Sequence, residues 1–169
     1  VFAAETWLFE GARREETVRA VFLHLESGQA ISGNDGFDLL NSLRTHGDDW
    51  VDARARLPRV DECLENLDRA RAQLLSQYRA ARLTNQAENA DRIRIQRESQ
   101  NRNLERRRQK LLEVMGRDGA SRARVEAMTK GKIRKLEEQH KVALARLDAR
   151  EALVARHEVL AEGFVRIEP

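Results

Sequence analysis

The sequence contains few residues of the kinds that build thick cores or covalent cross-links. Aromatic side chains make up 5% of the 169 residues, which is too little for the core of a β-sandwich or a barrel. Cys63 is the single cysteine, so the sequence excludes an internal disulfide and a CxxC zinc site. No apolar run is long enough to span a membrane and no secretory pattern begins the chain. We therefore expect a cytoplasmic protein that has no membrane partner.

Glycine and proline are almost missing from the second part of the chain. No proline lies between Arg59 and Glu168, and no glycine lies between Asp48 and Met115, so this part can form very long helices. The composition predicts an all-α fold: a small helical subdomain over 1–60, a long antiparallel coiled-coil hairpin over 61–158, and a strand-like tail over 159–169. The first residue is Val, which suggests a piece of a longer polypeptide.

Two short helices are predicted in the N-terminal subdomain. Val18, Val21, Phe22 and Leu25 have the spacing of one helical face, and that helix is expected to end near Gly28. After a turn at 32–36, a second helix is predicted to end near Gly47. The expected core of this subdomain consists of the aromatic residues Trp7, Phe9, Phe22, Phe37 and Trp50.

From Asp61 onward, apolar residues recur at alternating steps of three and four, which is typical of a coiled coil. The first stripe consists of Leu64, Leu67, Arg71, Leu74, Tyr78 and Ala81. A loop at 116–120 is predicted to reverse the chain, and a second stripe then runs from Thr129 to Val154. Folding at that loop places Leu104 against Ile133 and Gln100 against Leu136.

No catalytic or nucleotide-binding motif occurs in the chain, since it lacks GxxxxGKS/T, GxGxxG, GxSxG and HExxH patterns. We therefore expect no enzymatic activity, no catalytic residue, no metal site and no cofactor in this chain alone. His140 is interpreted as a polar residue between the two helices, and Cys63 as a structural thiol. The acids Asp48, Asp49 and Asp52 are interpreted as loop or helix-start residues.

Positive charge is concentrated around the expected hairpin tip. Between Arg92 and Lys135 the chain has fifteen Lys and Arg residues against five acids, without interleaved aromatics. Such a surface favours phosphate backbones without reading base sequence, and it does not suit single-strand stacking. The candidate DNA-binding residues are Arg106, Arg107, Arg108, Lys110, Arg117, Arg122, Arg124, Lys130, Lys132, Arg134 and Lys135.

A different class of function fits the same pattern. Arginine-rich helix faces are common on coiled coils that bind a partner protein or associate with a second copy, with no nucleic-acid contact. Under that hypothesis the positive charge is solvated helix surface. Salt-dependent DNA binding distinguishes the two classes.

Several segments resemble the C-terminal region of bacterial SNF2-type DEAD/DEAH-box helicases, including large ones found in phage-defence systems. The similarity covers most of the chain, and its most specific parts are the Met-x-x-Gly-x-Ile-x-x-Leu-Glu type of pattern in 128–137 and the closing Gly-Phe-Val run at 163–165. The other similar segments are 7–9, 21–28, 36–40, 107–112 and 161–167.

The resemblance implies an accessory module that lies beyond the two motor lobes of an ATP-dependent DNA translocase. ATP and Mg²⁺ would then bind elsewhere in the parent protein, and its motor domains would be partners of this module, together with DNA. The resemblance also implies a role in antiviral defence. The motor motifs of that family are absent from this chain, so the resemblance assigns no catalytic residue to it.

Overall fold

The computed structural model describes residues 1–48, 60–117 and 122–166 of the chain. In order, its elements are β1 (Phe2–Glu10), β2 (Arg14–Leu23), β3 (Ala30–Ile31), α1 (Gly33–His46), α2 (Val60–Arg117), α3 (Arg122–Asp148) and β4 (Val154–Gly163). The four strands form one antiparallel sheet in the order β3-β2-β1-β4. The fold is therefore mixed α and β, and the all-α prediction is wrong.

The chain divides into two compact units. The sheet unit consists of Val1–Glu10, Arg14–Asn85 and Val154–Pro169, and therefore contains all four strands, α1 and the first part of α2. The hairpin unit consists of Gly11–Arg13 and Gln86–Leu153, which include the rest of α2 and the whole of α3.

The N-terminal helix predicted over 18–28 is a strand, because β2 runs from Arg14 to Leu23. Its last four residues, Ala20–Leu23, are all buried, as are the first four residues of β1. A strand covered on both faces loses the alternation of polar and apolar residues that identifies strands in a sequence. Val18, Val21 and Phe22 of β2 match helical spacing by coincidence.

One face of the sheet is covered by α1. Phe2, Ala4, Ala20 and Phe22 form a buried cluster on this face, and the rings of Phe2 and Phe22 stack with their centroids 5.3 Å apart. Side chains of α1 pack against the cluster at Leu39, Leu40 and Leu43. A Cβ on Gly36 would lie 2.5 Å from the Ala20 carbonyl oxygen, so the close approach of α1 to β2 requires glycine there. The second predicted helix, ending near Gly47, is confirmed.

The opposite face of the sheet is covered by the first part of α2. Along β1, Trp7 and Phe9 alternate with the residues facing α1, and both rings contact Tyr78 of α2. The buried residues of α2 here are Cys63, Leu67, Ala70, Leu74 and Tyr78.

The predicted stripe on this part of α2 is correct at Leu67, Leu74 and Tyr78 and wrong at two other positions. Leu64 is half exposed, and Arg71 lies at the surface, where its guanidinium donates hydrogen bonds to Glu162 of β4. The stripe shifts because this stretch packs on a sheet, whereas the N-terminal subdomain was predicted to be helical.

The C-terminal strand begins earlier than predicted. Helix α3 ends at Asp148, and β4 spans Val154–Gly163, so the helical hairpin predicted to reach 158 is too long. Strand β4 pairs with the whole length of β1, with a bulge between the pairs formed by Ala4 and Glu5. Residues 167–169 of the predicted tail lie outside the described residues.

Three of the five aromatic residues predicted to form a core, Trp7, Phe9 and Phe22, are buried. Phe37 is 39% exposed, and Trp50, with Asp49 and Asp52, lies outside the described residues. The predicted loop at 116–120 lies largely outside them too, and α2 continues to Arg117.

Among the helices that the structure describes, none is long and apolar enough to cross a membrane.

Because Leu74 is completely buried between α2 and the sheet, Leu74→Ala is expected to lower the free energy of unfolding by about 2–5 kcal/mol. The matched control is Leu83→Ala on the same helix, where the side chain is 69% exposed and the expected change is below about 0.5 kcal/mol. Urea unfolding followed by circular dichroism measures both. Equal effects of the two substitutions would contradict the packing of α2 on the sheet.

Candidate nucleic-acid interface

A buried asparagine joins three segments of the hairpin unit. The Asn89 Oδ1 atom accepts a hydrogen bond of 2.7 Å from the Ala12 backbone N–H, in the loop between β1 and β2. The Asn89 Nδ2 atom donates to the carbonyl oxygens of Arg150 and Glu151, at 3.0 and 2.9 Å. Asn89 is 5% exposed, and these bonds satisfy both ends of its amide. Helix α2 is thereby fixed to the segment that follows α3.

Gly11 leaves the room that this arrangement needs. A Cβ at position 11 would lie 2.4 Å from the Asn89 Oδ1 atom, which is closer than two such atoms can approach. Neither Gly11 nor Asn89 is among the predicted functional residues, although an asparagine in a long, exposed helix can signal a buried polar contact.

An ion-pair cluster lies near this asparagine in the same unit. The Arg97 guanidinium donates to Asp148 at 2.6 Å and to Glu151 at 2.7 Å. The hydrogen bonds that Arg97 donates to Glu151 and, to a smaller extent, to Asp148 raise the pKa of Arg97, so this guanidinium stays charged. Its charge is used within the fold, and Arg97 is therefore a poor candidate for binding an external anion.

A groove of about 230 Å³ lies between α2 and α3. Gln100 and Leu136, one of the pairs that the predicted register places together, both line it. Leu104 and His140 line the same groove, whereas Ile133, the predicted partner of Leu104, does not.

A second groove between α2 and α3 is strongly basic. It has a volume of about 390 Å³ and is lined by Arg107 and Lys110 from α2 and by Lys132 and Lys135 from α3, around Leu111, Leu136 and Gln139. We call it the basic groove. Within the part of the chain that the structure describes, no carboxylate forms an ion pair with any of these four cations.

Other candidate DNA-binding residues are partly neutralised. Lys130 lies 2.7 Å from Glu126, Arg134 lies 3.8 Å from Glu138, and Arg108 lies 4.0 Å from Glu105. Arg106 and Arg124 are exposed on their helices. Arg117 and Arg122 are at helix ends, where their side chains lie outside the described residues. The structure thus brings four of the predicted cations together in one groove.

A polar groove adjoins the basic groove. It is the cavity lined by Leu104 and His140, and it shares Arg107, Leu136 and Gln139 with the basic groove. Its remaining polar side chains are Gln100 and Asn103. The combined surface offers cations on one side and hydrogen-bonding groups on the other, which is the chemistry that a phosphodiester backbone requires.

A second titratable cluster, missed by the sequence analysis, lies in the sheet unit. The buried Glu5 carboxylate accepts a 2.9 Å hydrogen bond from Trp7 Nε1 and lies 3.2 Å from His157 Nδ1 of β4. The Tyr78 ring packs against the imidazole with a centroid distance of 4.4 Å. A carboxylate that orients an imidazole is used in general-base catalysis. Here the cluster is a contact that holds β4 to β1 and α2.

Comparisons with protein-family models, curated proteins and solved structures gave no match. The function is therefore argued from the geometry of the chain itself.

Replacing Asn89 by alanine is expected to lower the free energy of unfolding by about 2–4 kcal/mol, because it leaves the Ala12 N–H and two carbonyl oxygens without their partner. Gly11→Ala should also destabilise the chain. The double substitution should cost less than the sum of the two single changes, since removing the Asn89 amide removes the atom that the new Cβ would meet.

Asn101→Ala, at an exposed position of the same helix, is the control and should have little effect. Chemical unfolding of the four variants measures the coupling between positions 11 and 89. Strict additivity would contradict the contact between them.

Proposed function

We propose that the hairpin unit binds the phosphate backbone of duplex DNA through the basic groove. The observation that carries the proposal is the convergence of Arg107, Lys110, Lys132 and Lys135 from two helices on one groove, with no carboxylate paired to them among the described residues. Bringing four like charges together is unfavourable in the free protein, and binding a polyanion relieves that repulsion while releasing its counterions.

The residue types support a backbone contact that does not depend on base sequence. The groove has cations, a glutamine and two leucines, but no aromatic ring on which a base could stack. Its lining of four cations, two leucines and one glutamine is suited to phosphate groups and not to reading the edges of bases. The binding is therefore electrostatic, and the affinity for DNA decreases steeply as the salt concentration rises.

The resemblance to bacterial SNF2-type helicases extends this proposal to the parent protein. The chain acts as an accessory module of a cytoplasmic, ATP-dependent DNA translocase of a phage-defence type, and it contacts DNA or braces the motor domains. ATP and Mg²⁺ bind to the motor, and this chain alone catalyses no reaction.

A second function is supported by a different observation. Four apolar side chains on the hairpin, Leu112, Val114, Met128 and Val142, are 43–55% exposed. Exposed apolar residues on paired helices are typical of surfaces that bind another protein or a second hairpin. Under this alternative the hairpin binds a protein partner and contacts no nucleic acid.

The DNA proposal is tested by fluorescence anisotropy with a labelled duplex of mixed sequence at about 50 and 200 mM salt. The double substitution Arg107→Glu and Lys135→Glu removes one cation from each helix of the basic groove. It is expected to weaken binding at least tenfold and to reduce the slope of log affinity against log salt by about two, because roughly two phosphate contacts are lost.

The matched control is Arg79→Glu with Arg82→Glu, which makes the same change in net charge at exposed positions of α2 in the sheet unit. It should change the affinity by less than about threefold, since the groove is intact. Equal losses in the two variants would show that net charge alone drives binding. A wild-type chain that binds no duplex at the lower salt concentration would refute the proposal and leave the protein-binding alternative.

A further inference from the structure

Strand β4 is at an edge of the sheet. It pairs with β1 on one side, and among the described residues no strand pairs with its other side. It is ten residues long, whereas β3, at the opposite edge, has two residues. A long edge strand presents unpaired N–H and C=O groups to a further strand, and proteins normally shorten or cover such an edge.

The side chains of β4 are largely exposed for a strand in a packed sheet. Val159 is 63% exposed and Leu160 is 55% exposed, while Val154 is also exposed. Leu160 is the extra residue of the bulge opposite β1, so the regular part of the strand ends at Val159. An added strand would therefore pair with residues 154–159.

The charges of this segment are complementary to those of an identical segment in antiparallel orientation. When His157 lies opposite His157 of the second copy, Arg156 lies opposite Glu158 of that copy, and the reciprocal pair forms by symmetry. Ala155 then lies opposite Val159, which covers the exposed valine. Neither Arg156 nor Glu158 forms an ion pair within the described part of the chain.

Other registers of the same pairing are less favourable. A shift of two residues in one direction places Arg156 opposite Arg156, and a shift of two in the other places Glu158 opposite Glu158. Like charges directly opposite each other destabilise a strand pair. A shift of one residue exchanges the two faces, so that Val159 lies opposite Arg156. The sequence of β4 therefore favours one symmetric register.

We propose that two copies of this chain associate through their β4 strands, forming one continuous antiparallel sheet across a two-fold axis at His157. The dimer contains two Arg156–Glu158 pairs and two Ala155–Val159 pairs. This proposal is independent of DNA binding, because the residues that carry it are in the sheet unit and the basic groove is in the hairpin unit.

The test is the oligomeric state of the full chain, measured by sedimentation velocity between about 1 and 200 µM, the range in which a small interface dissociates. The wild-type chain should dimerise with rising concentration. Arg156→Glu should raise the dissociation constant at least tenfold, because it places glutamate opposite glutamate twice. Glu158→Arg should do the same through two arginine pairs.

The decisive variant is the double reversal, Arg156→Glu with Glu158→Arg, which recreates both pairs with the charges exchanged. It should restore the dissociation constant to within about threefold of the wild-type value. Arg82→Glu, an equal charge reversal at an exposed position of α2, is the control and should leave dimerisation unchanged. Far-ultraviolet circular dichroism shows that each variant keeps its fold.

Three results would overturn the proposal. The wild-type chain could stay monomeric throughout the range, which would leave the edge to a strand from a different protein. The chain could dimerise equally well with either single reversal, which would place the interface elsewhere. The double reversal could stay as weak as the single ones, which would show that Arg156 and Glu158 do not face each other.

Discussion

Nine residue pairs join β1 to β4, and the rest of the chain has to accommodate them. The side chains of Glu5 and His157, which contact each other across these two strands, belong to residues 152 positions apart in the sequence. Everything between the two strands is consequently a closed loop, whose entropic cost rises only with the logarithm of its length. Two long helices can therefore be inserted at little extra cost, provided that the chain returns beside the end of β1. Asn89 secures this return, since it bonds both the loop after β1 and the segment before β4.

The same pairing explains why a carboxylate is buried in the sheet. Glu5 is on the central part of β1, opposite Arg19 of β2, and it accepts a hydrogen bond from Trp7 while facing the His157 imidazole. A buried carboxylate without partners would be strongly unfavourable, whereas one with several polar neighbours specifies which strands lie beside it. Tyr78 extends the contact to α2. Two strands and one helix are thus placed relative to one another by a single polar cluster.

The long helices could be predicted from the sequence, but the sheet could not. Glycine and proline are absent over most of α2, and this signal depends only on local backbone preference. The strands β1 and β2 are covered by α1 on one face and by the first part of α2 on the other, so their pattern depends on tertiary contacts that a short sequence window does not contain. The stripe residue Leu64 was misplaced for the same reason, because the partner of α2 at that end is a sheet and not a helix.

The candidate site was predictable in composition but not in detail. The basic residues around the hairpin tip were evident from the sequence, yet their pairing depends on which carboxylates each one reaches. Arg97 and Arg107 are on the same helix, ten positions apart, and have different surroundings. Arg97 reaches Asp148 and Glu151, and its charge stabilises the pairing of the segments. Arg107 lines the basic groove with Lys110 of the same helix and with Lys132 and Lys135 of α3.

This contrast separates the residues that hold the hairpin unit together from those available to a ligand. Asn89 and Arg97 satisfy their hydrogen-bonding groups within the chain, so substituting them changes stability. The four cations of the basic groove repel one another in the free protein, so replacing one removes an unfavourable interaction and does not break a favourable one. The repulsion within the groove lowers the stability of the free chain. A bound anion relieves this repulsion, so the groove contributes a favourable free energy only in the complex. Such an arrangement is expected of a binding surface and not of a structural contact.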